Sequence, residues 1–201
     1  MSRSDSKEDI MKQHNSSRNK VRNMVGIAIL AAIVVVLQLL GSFIRFGPVS
    51  VSLVLIPIVV GAAVYGPGAG AMLGAVFSII VLTQPDTSFF YNISYFGTVV
   101  TVIVKGVLAG FLAGLAFQVL KKWNVWVAVI VAAVVCPVVN TGLFFLGCRL
   151  FFWEKLMEIG GGDAFMYVIT TMIGFNFIAE LVTNMVAAPV ILRILRAINR
   201  R

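Results

Sequence analysis

The sequence predicts an all-α integral membrane protein, a bundle of six transmembrane helices with both the N and C termini cytoplasmic. Three observations predict it. Hydrophobic residues make up 60% of the 201 residues and charged residues 12%, and mean hydropathy is +1.00. Soluble domains carry about 25% charged residues, so lipid must solvate most of this chain. The apolar residues fall into six runs separated by short polar or glycine-rich segments. The basic residues gather in three patches: Arg3, Lys7, Lys12, Arg18, Lys20 and Arg22; then Lys121 and Lys122; then Arg193, Arg196, Arg200 and Arg201. Six crossings place all three on one face of the membrane, the cytoplasmic one by the positive-inside rule. An odd number would separate the tails. The net charge of +8 is thereby explained by topology, and no nucleic-acid partner is expected.

Residues 1–22 are polar and charged and are expected to form a disordered cytoplasmic tail. Residues 23–195 form the six-helix membrane domain, and 196–201 a basic cytoplasmic tail. The first span covers about 23–40 and is followed by the loop Gly41–Pro48. The second, about 49–64, carries Pro57 and leads into a tight turn at Tyr65–Gly68, where glycine and proline set the backbone. The third covers about 69–82, with a polar and aromatic loop over 83–95. The fourth, about 96–120, stops at Lys121 and Lys122. The fifth is about 125–146, and a mixed-charge loop over 149–163 ends in a glycine hinge, Gly160–Gly162. The sixth is about 164–195. A helix needs ~20 apolar residues to cross ~30 Å of hydrocarbon. Spans two and three are short, and read as a hairpin that crosses incompletely or thins the bilayer, or as a re-entrant loop. The loops on the other face hold Arg45, Arg149 and Lys155 against Asp86, Glu154, Glu158 and Asp163.

Two small-residue ladders stand out. Gly66, Gly70 and Gly74 repeat every fourth residue, as do Gly106, Gly110 and Gly114. Such spacing lets helix backbones approach closely. Packing inside one bundle is the expected use, ahead of oligomerisation. Ala28 and Ala32 make a weaker pair of the same kind.

Lys105 and Glu180 are the two charges that topology leaves unplaced, both inside spans. Intramembrane charges are costly and face a partner or a water-filled cavity. Asn176, Glu180 and Asn184 share one helix face. Lys105, Asn140 and Asn176 fall at similar depth on three different helices. Convergent polar groups in an apolar bundle suit a small-ligand pocket. A purely structural Lys–Glu pair, with asparagines bonding neighbouring helices, is the competing reading. Tyr91, Asn92 and Tyr95 lie in an aromatic outer loop that could border the pocket mouth, or form part of an interfacial belt. Arg45 is an interface anchor or a contact for an anionic ligand.

Chemistry beyond binding is not indicated. There is no P-loop and no H-E-x-x-H or G-x-S-x-G motif. His14, the one histidine, lies in the polar tail. Cys136 and Cys148 would stand ~18 Å apart on one helix, too far for a disulfide. No cofactor or metal is expected, and no enzyme.

Several segments together carry a family resemblance: Ala28–Ala32, Ser52–Ala62, Tyr65–Gly70, Lys105–Gly110, Pro137–Gly142 and Asn176–Glu180. Their order, with six spans in about 200 residues, resembles the substrate-binding S-components of energy-coupling factor (ECF) vitamin transporters. The resemblance covers about residues 24–195. It implies capture of a water-soluble vitamin from outside, in a pocket covered by the loop after the first helix, here Gly41–Pro48. It implies partners: a membrane scaffold (T) protein and two ABC ATPases, which would supply the missing P-loop. It also implies that Ala28 and Ala32 dock on the scaffold, and that the protein resides in the cell membrane. Site residues expected on this reading are Lys105, Asn140, Asn176, Glu180, Tyr91, Asn92, Tyr95 and Arg45. Pantothenate, riboflavin and folate are substrates of the right kind. Lys105 favours an acid such as pantothenate over a neutral ring. The alternative reading is a stand-alone secondary transporter or channel for a small organic solute, and a third is a membrane scaffold that transports nothing.

Overall fold

The computed structural model describes residues 3–41, 45–46, 49–50 and 53–199, with side chains in the first helix described at Arg18 and from Lys20 onward. Helix α1 runs Arg3–Gly41. Two two-residue strands, β1 (Arg45–Phe46) and β2 (Val49–Ser50), pair antiparallel with Arg45 opposite Ser50. Then come α2 (Leu55–Tyr65), α3 (Pro67–Leu82), α4 (Pro85–Tyr91), α5 (Tyr95–Leu120) and α6 (Val125–Gly147). A π-helical turn, Cys148–Phe152, carries α6 into α7 (Trp153–Ile159). Helix α8 (Ala164–Tyr167) passes through a second π segment, Val168–Ile173, into α9 (Gly174–Asn199).

A helix occupies each of the six expected spans. Four helical stretches are long and apolar enough to cross a membrane: Lys20–Gly41, Tyr95–Leu120, Val125–Ile159 and Ala164–Ala197. A fifth arises if α3 and α4, bent by 80°, count as one broken span. Helix α2 has 11 residues, a rise of roughly 16 Å that falls well short of the hydrocarbon thickness.

Helix boundaries differ from expectation in three places. Helix α1 begins at Arg3, within the stretch expected as a tail, and not near residue 23. Arg, Lys, Met, Gln and Glu are good helix formers, and a helix already nucleated over 23–41 grows by one hydrogen bond per added residue. The fold is all-helical as expected, apart from the two-residue strands of the small hairpin in the loop after α1. The second helix begins at Leu55, not near 49, since Val49 and Ser50 belong to that hairpin. Residues 149–159, expected as loop, are helical, and the turn places Phe152 and Leu156 on one buried face. The chain instead turns at Gly160–Gly162, where Gly161 and Gly162 have positive φ.

Local signals explain the helix ends. Gly66 sits at φ 100° and ψ 175°, a region open essentially to glycine alone, and both ends α2 and starts α3. Pro67 then occupies the first helical position, where its missing N–H does no harm. Ser94, Asn124 and Asp163 cap α5, α6 and α8 by accepting from Gly97 N, Trp126 N and Met166 N at 3.1, 2.8 and 2.9 Å.

The glycine ladders meet each other. Helices α3 and α5 run antiparallel with Gly70 against Gly110 and Gly74 against Gly106. A Cβ on any of the four would strike a carbonyl oxygen or side chain opposite. Beyond them Ser78 Oγ lies 2.8 Å from Val102 O and 2.9 Å from Gly74 O. At the other end a Cβ on Gly114 would stand 2.6 Å from Pro67 Cα. Both ladders are therefore used within one bundle.

Two apolar clusters form the core. One, near the Lys121 turn, includes Leu55, Ile58, Leu73, Phe77, Phe117, Val129, Ile191 and Leu192. The other gathers Phe90, Cys148, Phe152, Leu156, Val168 and Met172. Cys136 and Cys148 are both buried and free. The polar residues of α5, α6 and α9 lie between the two clusters.

Candidate functional site

A cavity of about 100 Å³ occupies that middle zone. Four of the expected residues line it together: Lys105 from α5, Asn140 from α6, and Asn176 and Glu180 from α9. Their charges and amides share a chamber with the rings of Phe77, Phe90, Phe144, Phe152 and Phe177. Asn140, Asn176 and Glu180 are buried, at 5%, 6% and 6% exposure.

Helix geometry sets each position. Lys105 projects from α5 with its ammonium 5.0 Å from the Phe144 ring centroid and 6.0 Å from that of Phe77. The negative face of each ring partly replaces lost hydration. The charge of Lys105 also acts on that of Glu180 through space. On α9 the register returns from π to α just before Asn176, whose Nδ2 donates to Met172 O at 3.2 Å. One turn beyond Glu180, Asn184 Nδ2 donates to Glu180 O at 2.8 Å. π segments recur at functional sites because they shift the side chains beyond them by one register position. Here Phe152, Met172 and Ile173, all in π segments, line the cavity. In α6, Pro137 lies three residues before Asn140, and its missing N–H loosens the helix there.

The remaining expected residues lie elsewhere. Tyr91, Asn92 and Tyr95 do not line the cavity. Tyr91 O–H donates to Leu82 O at 3.0 Å, and its ring stacks on Tyr95 with centroids 5.1 Å apart. Tyr95 is 71% exposed. Residue 91 sits about 100° around α4 from residue 90, and Phe90 is the one that turns inward. The side chain of Arg45 lies outside the described residues. Ala28 and Ala32 are exposed on α1 and do not line the cavity.

Other lining residues escaped the sequence reading. Gln38 and Gln84 bridge the end of α1 to the turn after α3. Gln38 Nε2 donates to Gln84 Oε1 at 3.0 Å, and Gln84 Nε2 to Gln38 O at 3.1 Å. They are 46 residues apart, so nothing local announces the pair. Thr98, Thr101 and Thr141 were within reach of simple arithmetic. Thr101 and Thr98 lie four and seven residues before Lys105 on the same helix face, and Thr141 adjoins Asn140.

No cluster of His, Cys, Asp or Glu able to hold a metal ion occurs among the described residues. The arrangement is a polar chamber enclosed by apolar helices, and the fold is that of a multi-pass membrane protein. The family model described as ECF transporter, substrate-specific component, matches residues 22–192. The chain belongs to that family: it is a substrate-specific component of an ECF transporter, and the family is one of transporter components, not of enzymes. Such components associate with the T protein and ATPases of an energy-coupling module. No curated protein and no solved structure matches the chain.

Proposed function

We infer that this chain captures a water-soluble vitamin or related small molecule from outside the cell for ATP-driven uptake by partner subunits. Pantothenate, riboflavin and folate are the substrate types considered, and Lys105 favours an acid. The observation that carries the reading is the meeting of Lys105, Asn140, Asn176 and Glu180 in one cavity inside an otherwise apolar bundle. Polar groups this deep are retained where they face a partner or a cavity. Six crossings, with both termini cytoplasmic, keep the basic patches on one side. The exposure of Ala28 and Ala32 supports their use as a docking face for the scaffold (T) protein, which would join this chain to two ABC ATPases.

The test is mass spectrometry of small molecules that co-purify with the protein from cells grown in rich medium. One organic solute at near-equal ratio to protein is the expected result, with no ATP required. Recovery of none, together with gradient-driven uptake of a solute into liposomes by this chain alone, would instead establish the stand-alone transporter.

A further inference from the structure

We propose that the crevice beside the α5–α6 turn is a binding site for one anionic phospholipid, its phosphate held by Lys121 and Lys122 and an acyl chain laid along the apolar walls. Lys121 is 16 residues from Lys105, ~24 Å along α5, so this site is separate from the solute cavity and holds whichever solute is captured. The crevice measures about 470 Å³. Lys121 and Lys122 border it from the turn. Its walls are apolar: Phe117 from the last turn of α5, Val125 from the start of α6, Ala63 and Val64 from α2, and Leu195 from α9. No acidic residue lines it among the described residues, and neither lysine forms an ion pair among them. A third cation comes from α9. Arg196, next to Leu195, holds its guanidinium 5.6 Å from the Trp126 ring centroid. The crevice also opens at the N-terminus of α6, where the helix dipole favours negative charge.

The spans on either side fix the depth. Tyr95–Leu120 and Val125–Ile159 are both long and apolar enough to cross, so residues 121–124 between them lie at the bilayer surface. Trp123 is 89% exposed, and Trp126, Val127 and Ile130 continue an exposed apolar surface down α6. Tryptophans in such positions settle at headgroup level. The adjacent lysines therefore reach lipid phosphates, and basic pockets between helices at this level suit anionic headgroups. The apolar walls decide between possible sources of the phosphate. A free phosphate or nucleotide would use the lysines and leave Phe117, Val125 and Leu195 against water. A diacyl lipid brings negative charge and hydrocarbon in one molecule and meets both. A zwitterionic lipid carries its own cation, so it offers the lysines less.

The experiment uses purified full-length protein, stripped of lipid in detergent. Dioleoylphosphatidylglycerol and dioleoylphosphatidylcholine are the matched probes, and glycerol phosphate is the probe without chains. Native mass spectrometry counts the lipids retained per chain. Wild type should hold one phosphatidylglycerol, preferred over phosphatidylcholine by about tenfold or more, equivalent to ~1.4 kcal/mol. Excess glycerol phosphate should not displace it. Lys121→Gln with Lys122→Gln should shrink the preference to under about threefold. Val125→Trp fills the crevice but keeps the charges, and should lower retention of both lipids. Arg18→Gln with Arg22→Gln removes the same charge from exposed positions on α1, and should leave the preference within about twofold. Equal retention of the two lipids by wild type overturns the proposal. So does an equal loss in the α1 variant, which would assign the preference to net charge. Displacement by glycerol phosphate overturns it in favour of a soluble phosphate. Unchanged lipid binding in both crevice variants also overturns it, and if those variants lose the energy-coupling partners, the crevice belongs to a protein.

Discussion

Helix α5 carries two contrasting regions on neighbouring faces. Along one, Gly106, Gly110 and Gly114 meet α3 and Pro67 with backbone against backbone. Along the other, Thr98, Thr101 and Lys105 border the cavity. The first face is defined by missing side chains and leaves nothing unfilled. The second is defined by polar side chains: Thr98 Oγ1 donates to Ser94 O at 2.7 Å, Lys105 lies over the Phe144 ring, and Thr101 Oγ1 is buried with no partner among the described residues. In lipid there is no hydrophobic drive to bring helices together, so close packing must supply it. The seam therefore fixes the bundle, and the adjacent face keeps its polar side chains along the cavity.

The contrast predicts which changes unfold the protein and which empty it. Gly74→Leu or Gly110→Leu should have the largest effect. Even a Cβ collides with the opposing backbone, so a loss of about 3 kcal/mol or more is expected, seen as poor recovery as a single species in detergent and a sharply lower melting temperature. Lys105→Met should fold and yet bind its solute at least about 30-fold more weakly, since charged hydrogen bonds contribute ~1.5–3 kcal/mol each. A seam variant that melts normally would break the comparison.

Smaller effects sharpen it. Ala28→Trp with Ala32→Trp should leave solute affinity within about twofold and abolish recovery with the energy-coupling partners, because both residues face outward from α1. Gln84→Ala removes both bonds to Gln38 and should cost about 1–2 kcal/mol in thermal stability. Arg149→Ala, which removes a guanidinium 4.7 Å from the Trp153 ring centroid, should cost roughly 0.5–1 kcal/mol and leave binding unchanged.

Much of this design was legible in the sequence, for identifiable reasons. Spans four to six announce themselves by length and hydropathy, which act locally. The glycine ladders could be read because helical periodicity puts every fourth residue on one face. Lys105, Asn140, Asn176 and Glu180 stood out because polarity inside an apolar run is conspicuous. What was missed depends on the third dimension. Nothing near Gln38 points to Gln84. Tyr91 and Phe90 are adjacent in an aromatic loop, and only the helical turn of α4 decides which faces inward. The extension of α6 into α7 was hidden by mixed charges at Arg149, Glu154, Lys155 and Glu158, all exposed on a helix whose Phe152 and Leu156 are buried.

The most direct measurement is equilibrium binding of the co-purified solute to the purified chain, with neither ATP nor partner subunits. The account predicts one solute per chain, with affinity falling in both Lys105→Met and Asn140→Leu while each variant still melts as a folded protein. Undiminished affinity in both would mean that the ligand sits elsewhere and that these buried groups merely join helices.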